Sequence, residues 1–172
     1  MNLLVALALI FLCSHQLDKD GYGTFVLGLT VVGIVNAATG GLTAATGVQI
    51  SSHRRPPGMA LANGGVLGLA LGATAVIAGF GASTLYAGEA HREAIAVGLS
   101  CAAVIVSSVV AGTFLGREAF VRYNMALVAP PLFSLGLITF AFFGLDKPSP
   151  AVALEMYALG QWLAIITLVL VS

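Results

Sequence analysis

Charge is what this sequence has least of. Charged residues make up 8% of 172 positions, seven basic and seven acidic, against roughly 25% in an ordinary soluble domain. Hydrophobic residues make up 59%. So few charges cannot clothe a soluble fold of this size, whereas a bilayer accepts apolar surface. The formal net charge is zero, which excludes a basic face for nucleic acid. Cysteine is scarce: Cys13 and Cys101 both lie in apolar runs and read as buried thiols acting as small hydrophobes. The three histidines, His15, His53 and His91, fall in or beside connecting segments. A bis-histidine haem site is therefore not expected, and no His/Cys cluster has metal-ligand spacing. Phosphate loops, GxSxG elbows and HExxH motifs are missing. No lysine falls inside an apolar stretch, which excludes a retinal Schiff base. The sequence thus predicts no enzyme, no cofactor and no metal.

What remains is apolar sequence in long runs. A hydrocarbon core of about 30 Å needs about 20 helical residues. Charges and Pro/Gly clusters cut the chain into six stretches, expected as helices over about 1–16, 24–50, 59–88, 94–116, 125–145 and 151–172. The breaks are Asp18-Lys19-Asp20, Ser51 to Gly58, Glu89 to Glu93, Arg117 to Arg122 and Asp146 to Pro150. The runs are apolar throughout and lack the period-two alternation of barrel strands. The expected fold is all-α: a polytopic integral membrane protein, one transmembrane domain of about six helices in a compact bundle, with the lipid bilayer as its first partner. Met1 to Leu12 has no preceding Lys or Arg and no small-x-small site after it, so it reads as a retained first helix rather than a signal peptide.

Six spans place Arg54, Arg55, Arg117 and Arg122 on the side of both termini, against Lys19, Arg92 and Lys147 on the other. The positive-inside rule then puts the termini in the cytoplasm, in a bacterial-type inner or plasma membrane. His53-Arg54-Arg55 reads as a topology anchor, and Glu89, His91 and Glu93 as a solvated turn.

Helices in lipid associate through close backbone approach and polar contacts. Gly64, Gly68 and Gly72 recur every fourth residue in the third stretch. Gly33, Gly40 and Gly47 recur every seventh in the second, with Ala37 and Ala44 between them. These stripes predict tight packing of helices two and three, with each other or across a subunit interface, in a homo-oligomer or a larger membrane complex.

Polar groups inside apolar runs are the functional candidates, because each is costly unless partnered. They are Asn36, Thr39 and Thr43 in the second stretch, Asn63 in the third, and Glu155, Gln161 and Trp162 in the sixth. Two roles are open to them: lining a pathway for a polar solute, or bonding between helices. Pro130 and Pro131 read as the opening turn of the fifth helix, where proline is tolerated; if the helix instead starts near Met125, the pair kinks it and frees carbonyls, and such a kink could serve as a gate.

The layout resembles the AmiS/UreI family of urea and short-amide channels. Met1-Asn2-Leu3-Leu4 starts the first helix directly, Asp18-Lys19-Asp20 forms a charged turn, a Gly/Asn-containing helix follows, and the last helix carries Glu155 and then Trp162. The layout is also similar to the acetate/succinate transporters, though their Asn-Pro-Ala-Pro-Leu motif is missing from the first helix. The resemblance implies a six-helix channel or facilitator for a small polar solute. The alternative is a non-catalytic accessory subunit of a larger membrane complex.

Overall fold

The computed structural model describes residues 3–52, 56–86 and 91–171, the side chains of residue 3 and residues 79–86 excepted. His53-Arg54-Arg55 and Glu89 lie outside the described residues. The described chain is helical with no strand: α1 (Leu3–Gln16), α2 (Lys19–Ser51), α3 (Pro57–Tyr86), α4 (His91–Gly116), α5 (Phe120–Thr139), prolonged by a π-helical turn over Phe140–Gly144, and α6 (Pro150–Leu170). Five of these helices are long and apolar enough to cross a membrane, and α1 is a shorter apolar helix.

Local sequence explains where the helices begin and end. Asp18 caps α2 by accepting the Gly21 amide at 3.0 Å, so only Leu17 and Asp18 separate α1 from α2. Ser149 caps α6 by accepting the Val152 amide at 3.2 Å, and Pro150 occupies the first turn, where its missing N–H costs nothing. Glu118, two residues past the end of α4, has a left-handed φ of 57°. There the Ala119 amide bonds the Phe114 carbonyl at 2.9 Å and the Glu118 amide bonds that of Leu115 at 3.0 Å, a Schellman stop.

α4 is the hub. It packs against α2, α3, α5 and α6, while α2 and α3 barely meet. Within the chain, helices two and three each pack on α4 rather than on each other. Along the α3–α4 seam, Gly64 faces Val109, Gly68 faces Val106 and Gly72 faces Ala102, so the helices run antiparallel. A Cβ at Gly68 would lie 2.6 Å from Val106 Cγ2, so glycine is what permits this approach. α2 runs parallel to α4. Thr39 Oγ1 meets Ser108 Oγ at 3.4 Å, and Thr43 Oγ1 donates to the Ser108 carbonyl at 3.0 Å. At the far end Gly112 packs against the Thr43 carbonyl and Gly116 against that of Gly47. α6 is also parallel to α4, in a constant register: Arg92 pairs with Glu155, and Leu99 with Trp162. Gly47 thus meets α4, whereas Gly33 and Gly40 have open space where a side chain would stand.

α5 begins at Phe120, earlier than expected, so Pro130 and Pro131 fall inside a helix rather than at its start. The apolar residues from Val121 onward extend the helix backward past the prolines. At about 1.5 Å per residue, the 14 residues of α1 reach only about 21 Å from the end of the bundle where α1 joins α2. α1 packs against α2 and α5 there. A buried apolar cluster fills that end, including Leu9, Cys13, Phe25, Ile138, Phe142 and Leu154.

Candidate functional site

Beyond the reach of α1, α2 and α5 are not in close contact. A recess of about 480 Å³ opens there, walled by α2, α4, α5 and α6. Its polar lining comes from Asn36 and Thr43 on α2, Ser107 and Ser108 on α4, Tyr123 on α5, and Tyr157 and Gln161 on α6. Gly33, Gly40 and Ala44 keep the α2 wall low. Among the described residues, no Asp, Glu, Lys or Arg lines it.

The prolines add to this chemistry. Proline has no N–H, so the carbonyls of Ala126 and Leu127, four residues before Pro130 and Pro131, lack the amide donor a regular helix would supply. All four residues line the recess. The backbone there offers acceptors that an unbroken helix would have consumed. Ser134 ties this stretch of α5 to α6: its hydroxyl lies 3.0 Å from the Pro130 carbonyl and 2.9 Å from the Tyr157 carbonyl. Gly160 packs directly on the Ser134 backbone, which holds Tyr157 and Gln161 against α5. Gln161 is buried, with 5% of its surface exposed.

The sequence candidates divide into groups. Asn36, Thr43 and Gln161 meet in the recess, with Gly33 and Gly40 at its edge. Thr39 is buried beside it, donating to the Asn36 carbonyl at 3.2 Å and touching Ser108. Glu155 and Trp162 stand elsewhere, in a second groove of about 300 Å³ between α4 and α6. There Arg92 holds Glu155 with two bonds of 2.9 Å, from Nε to Oε1 and from Nη2 to Oε2. Asn63 is exposed on α3 and lines neither recess. Gly64, Gly68 and Gly72 are committed to the α3–α4 seam.

Sequence reasoning passed over Ser107, Ser108 and Tyr123, and it did not pair Arg92 with Glu155; the carbonyls freed by Pro130 and Pro131 belong to its alternative of a helix that starts before the prolines. The adjacent serines in the middle of an apolar helix were a legible signal, since two hydroxyls rarely sit there without a partner. Among the described residues no group of His, Cys, Asp and Glu could hold a metal ion. Both cysteines are free and buried.

No family model, curated protein or solved structure matches this chain. The functional reading therefore rests on the recess itself.

Proposed function

We propose that this chain is an integral membrane protein whose α2–α4–α5–α6 recess binds a small uncharged polar solute and lets it cross the bilayer. One observation carries the reading: an open recess of about 480 Å³ among long apolar helices holds hydroxyls and amides within its apolar lining and no charged side chain. Tyr157 and Gln161 are buried, and Thr43, Ser107, Ser108 and Tyr123 half-buried; polar groups so placed among apolar ones are retained at a cost, and here they share one space. An ion entering without a counter-charge would meet a large desolvation penalty. A neutral solute exchanges its water for Gln161, Asn36, the serines and the free carbonyls, and its size and hydrogen-bonding pattern set selectivity.

The packed cluster around Phe25, Ile138 and Leu154 stands between the recess and the end of the bundle where α1 joins α2. Passage therefore requires that plug to move, which makes the protein a gated facilitator rather than an open pore. The α5 prolines and the π-helical turn over Phe140–Gly144 flank the plug as weak points in the helical ladder.

The test is solute flux into liposomes holding the purified full chain, read by light scattering against a panel of neutral polyols, amides and short acids. Gln161→Leu removes an amide from the wall at similar volume, and flux of the preferred solute is expected to fall about tenfold, as the loss of one well-made hydrogen bond implies. A Gln161→Leu chain that folds and conducts like the wild type would end this reading. A second reading is favoured by the exposed apolar residues of α2, Leu27, Val31, Ile34 and Val48: the α2 face is covered by another subunit of a membrane assembly, and the chain carries no flux of its own. Native-mass measurement of the gently solubilised protein separates the two. Constant recovery with larger subunits and no flux selects the second.

A further inference from the structure

The second groove, between α4 and α6, differs in chemistry from the recess and faces outward. Its floor and walls are Ile95 and Leu99 on α4, with Ala158, Leu159 and Trp162 on α6. Ile95, Leu99 and Leu159 are each more than two-fifths exposed, so apolar surface runs the length of the groove. The Trp162 indole is fixed by donating its Nε1 hydrogen to the Leu99 carbonyl at 3.2 Å. The end nearest the α3–α4 and α5–α6 connections carries Arg92, in the first turn of α4, bonded to Glu155, in the second turn of α6. Trp162 lies seven residues beyond Glu155, about 10 Å deeper along the helix axis. The groove thus has a charged head and an apolar tail, in the order and depth of a lipid that crosses from headgroup to acyl chain.

The head carries one positive and one negative group. Arg92 uses Nε and one Nη2 hydrogen on Glu155, which leaves Nη1 and its side of the guanidinium for a phosphate oxygen. Glu155 keeps further acceptor capacity, and its side chain is one-third exposed. We propose that this groove holds one phospholipid with a primary-ammonium zwitterionic headgroup: phosphate on Arg92, ammonium N–H on Glu155, and one acyl chain along Leu99, Leu159 and Trp162. An anionic headgroup would meet the Glu155 carboxylate. A quaternary ammonium has no N–H to donate to it. The proposal rests on the reading of the chain as membrane-spanning and is independent of the solute reading of the recess.

Trp162 is the chain's single tryptophan, so its fluorescence reports this groove directly. The full chain is reconstituted in phosphatidylcholine vesicles. Dibrominated phosphatidylethanolamine, phosphatidylglycerol or phosphatidylcholine is then added at equal mole fraction, and quenching gives relative association at Trp162. The expected result is about a fivefold preference for the ethanolamine lipid, the ratio an exposed charge pair supports. It falls stepwise as the ammonium is methylated once, twice and three times, a series that needs no variant. Glu155→Gln abolishes the preference, and Arg92→Ala weakens association of the phospholipids as a class. Equal quenching by all three headgroups, or a preference that survives Glu155→Gln, overturns the proposal and leaves an ordinary lipid-facing groove. Absence of quenching by every brominated lipid overturns it differently, by removing the membrane reading beneath it.

Discussion

Gly160→Ala is the sharpest test of how α5 and α6 are joined. A Cβ at this position would lie 2.5 Å from Ser134 Cα and 2.7 Å from Ser134 Oγ. Carbon atoms in contact prefer about 3.5–4.0 Å, so the added methyl falls about 1 Å short of room. The obstacle is chiefly backbone, which cannot swing aside as a side-chain tip can, so the helices must part by about that distance. Parting stretches the 2.9 Å bond from Ser134 Oγ to the Tyr157 carbonyl past the hydrogen-bond range. Overpacking costs about 1–3 kcal/mol and an interhelical bond about 0.6 kcal/mol, which together give about 2–4 kcal/mol. For a chain of this length that corresponds to a fall in melting temperature of about 4–16 °C.

The chain supplies its own reporter for that measurement. Cys13 and Cys101 are 0% and 2% exposed, so a thiol-reactive dye lights up only as the bundle opens. Gly136→Ala is the control, because nothing lies within 4 Å of a Cβ there. It is expected to melt about 1–4 °C above the wild type, since an Ala in open space costs nothing in packing and gains about 0.5–1 kcal/mol in helix propensity. Adding Ser134→Gly to Gly160→Ala removes the hydroxyl but not the backbone, so it restores only a minor part of the loss. Equal melting of Gly160→Ala and the wild type, or an equal fall in Gly136→Ala, would refute the close α5–α6 approach and with it the wall that presents Gln161.

Two other perturbations follow from the backbone. Glu118→Gly relieves a left-handed residue at φ 57° and is expected to stabilise the chain by about 1 kcal/mol, read as a rise of a few degrees in the same thiol melt. A fall would mean that the Glu118 side chain contributes more than its backbone strain costs. Pro130→Ala with Pro131→Ala returns two N–H groups to the carbonyls of Ala126 and Leu127. The new amides are expected to exchange slowly with deuterium by mass spectrometry while solute flux drops. Fast exchange at both positions would show that the helix does not continue through the pair.

The all-helical character and the succession of apolar helices were legible because charge is so rare that each cluster of it marks a break. Asp18 and Ser149, at the caps of α2 and α6, are the residue types a helix start calls for. The start of α5 was misread because Pro130 and Pro131 are local signals, and their helix is carried by ten residues on the near side, Phe120 to Ala129, that tertiary packing holds in place. The hub was not foreseen, for a physical reason. A helix that is apolar all round has no amphipathic face to betray what it buries. The signal that survives in such a chain is side-chain size. α3 carries Gly64, Gly68 and Gly72 on one stripe, packs chiefly on one partner and is mostly exposed. α4 carries Gly98, Ser100, Ala102, Ala103, Ser107, Ser108, Ala111 and Gly112 on every side and is the most buried of the five long helices. Small residues distributed around a helix let backbones approach from several directions at once, and that is what a central helix requires.

The same geometry decides the fate of the polar candidates on α6. At about 100° per residue, Glu155 and Trp162 fall about 20° apart on the wheel, whereas Gln161 lies about 120° from Glu155. One helix therefore cannot aim all three at one pathway, and sequence spacing alone forbids it. What spacing cannot supply is which face turns inward. The parallel register of α4 and α6 supplies it: Leu99 opposite Trp162 and Arg92 opposite Glu155 commit that face to the outer groove, and Tyr157 and Gln161 are left facing α2 across the recess. Glu155 is then spared the cost of a lone carboxylate inside the bundle, because its partner stands at the start of the neighbouring helix. Its removal from the recess is what leaves that cavity uncharged, and an uncharged wall is the property on which selection for a neutral solute depends.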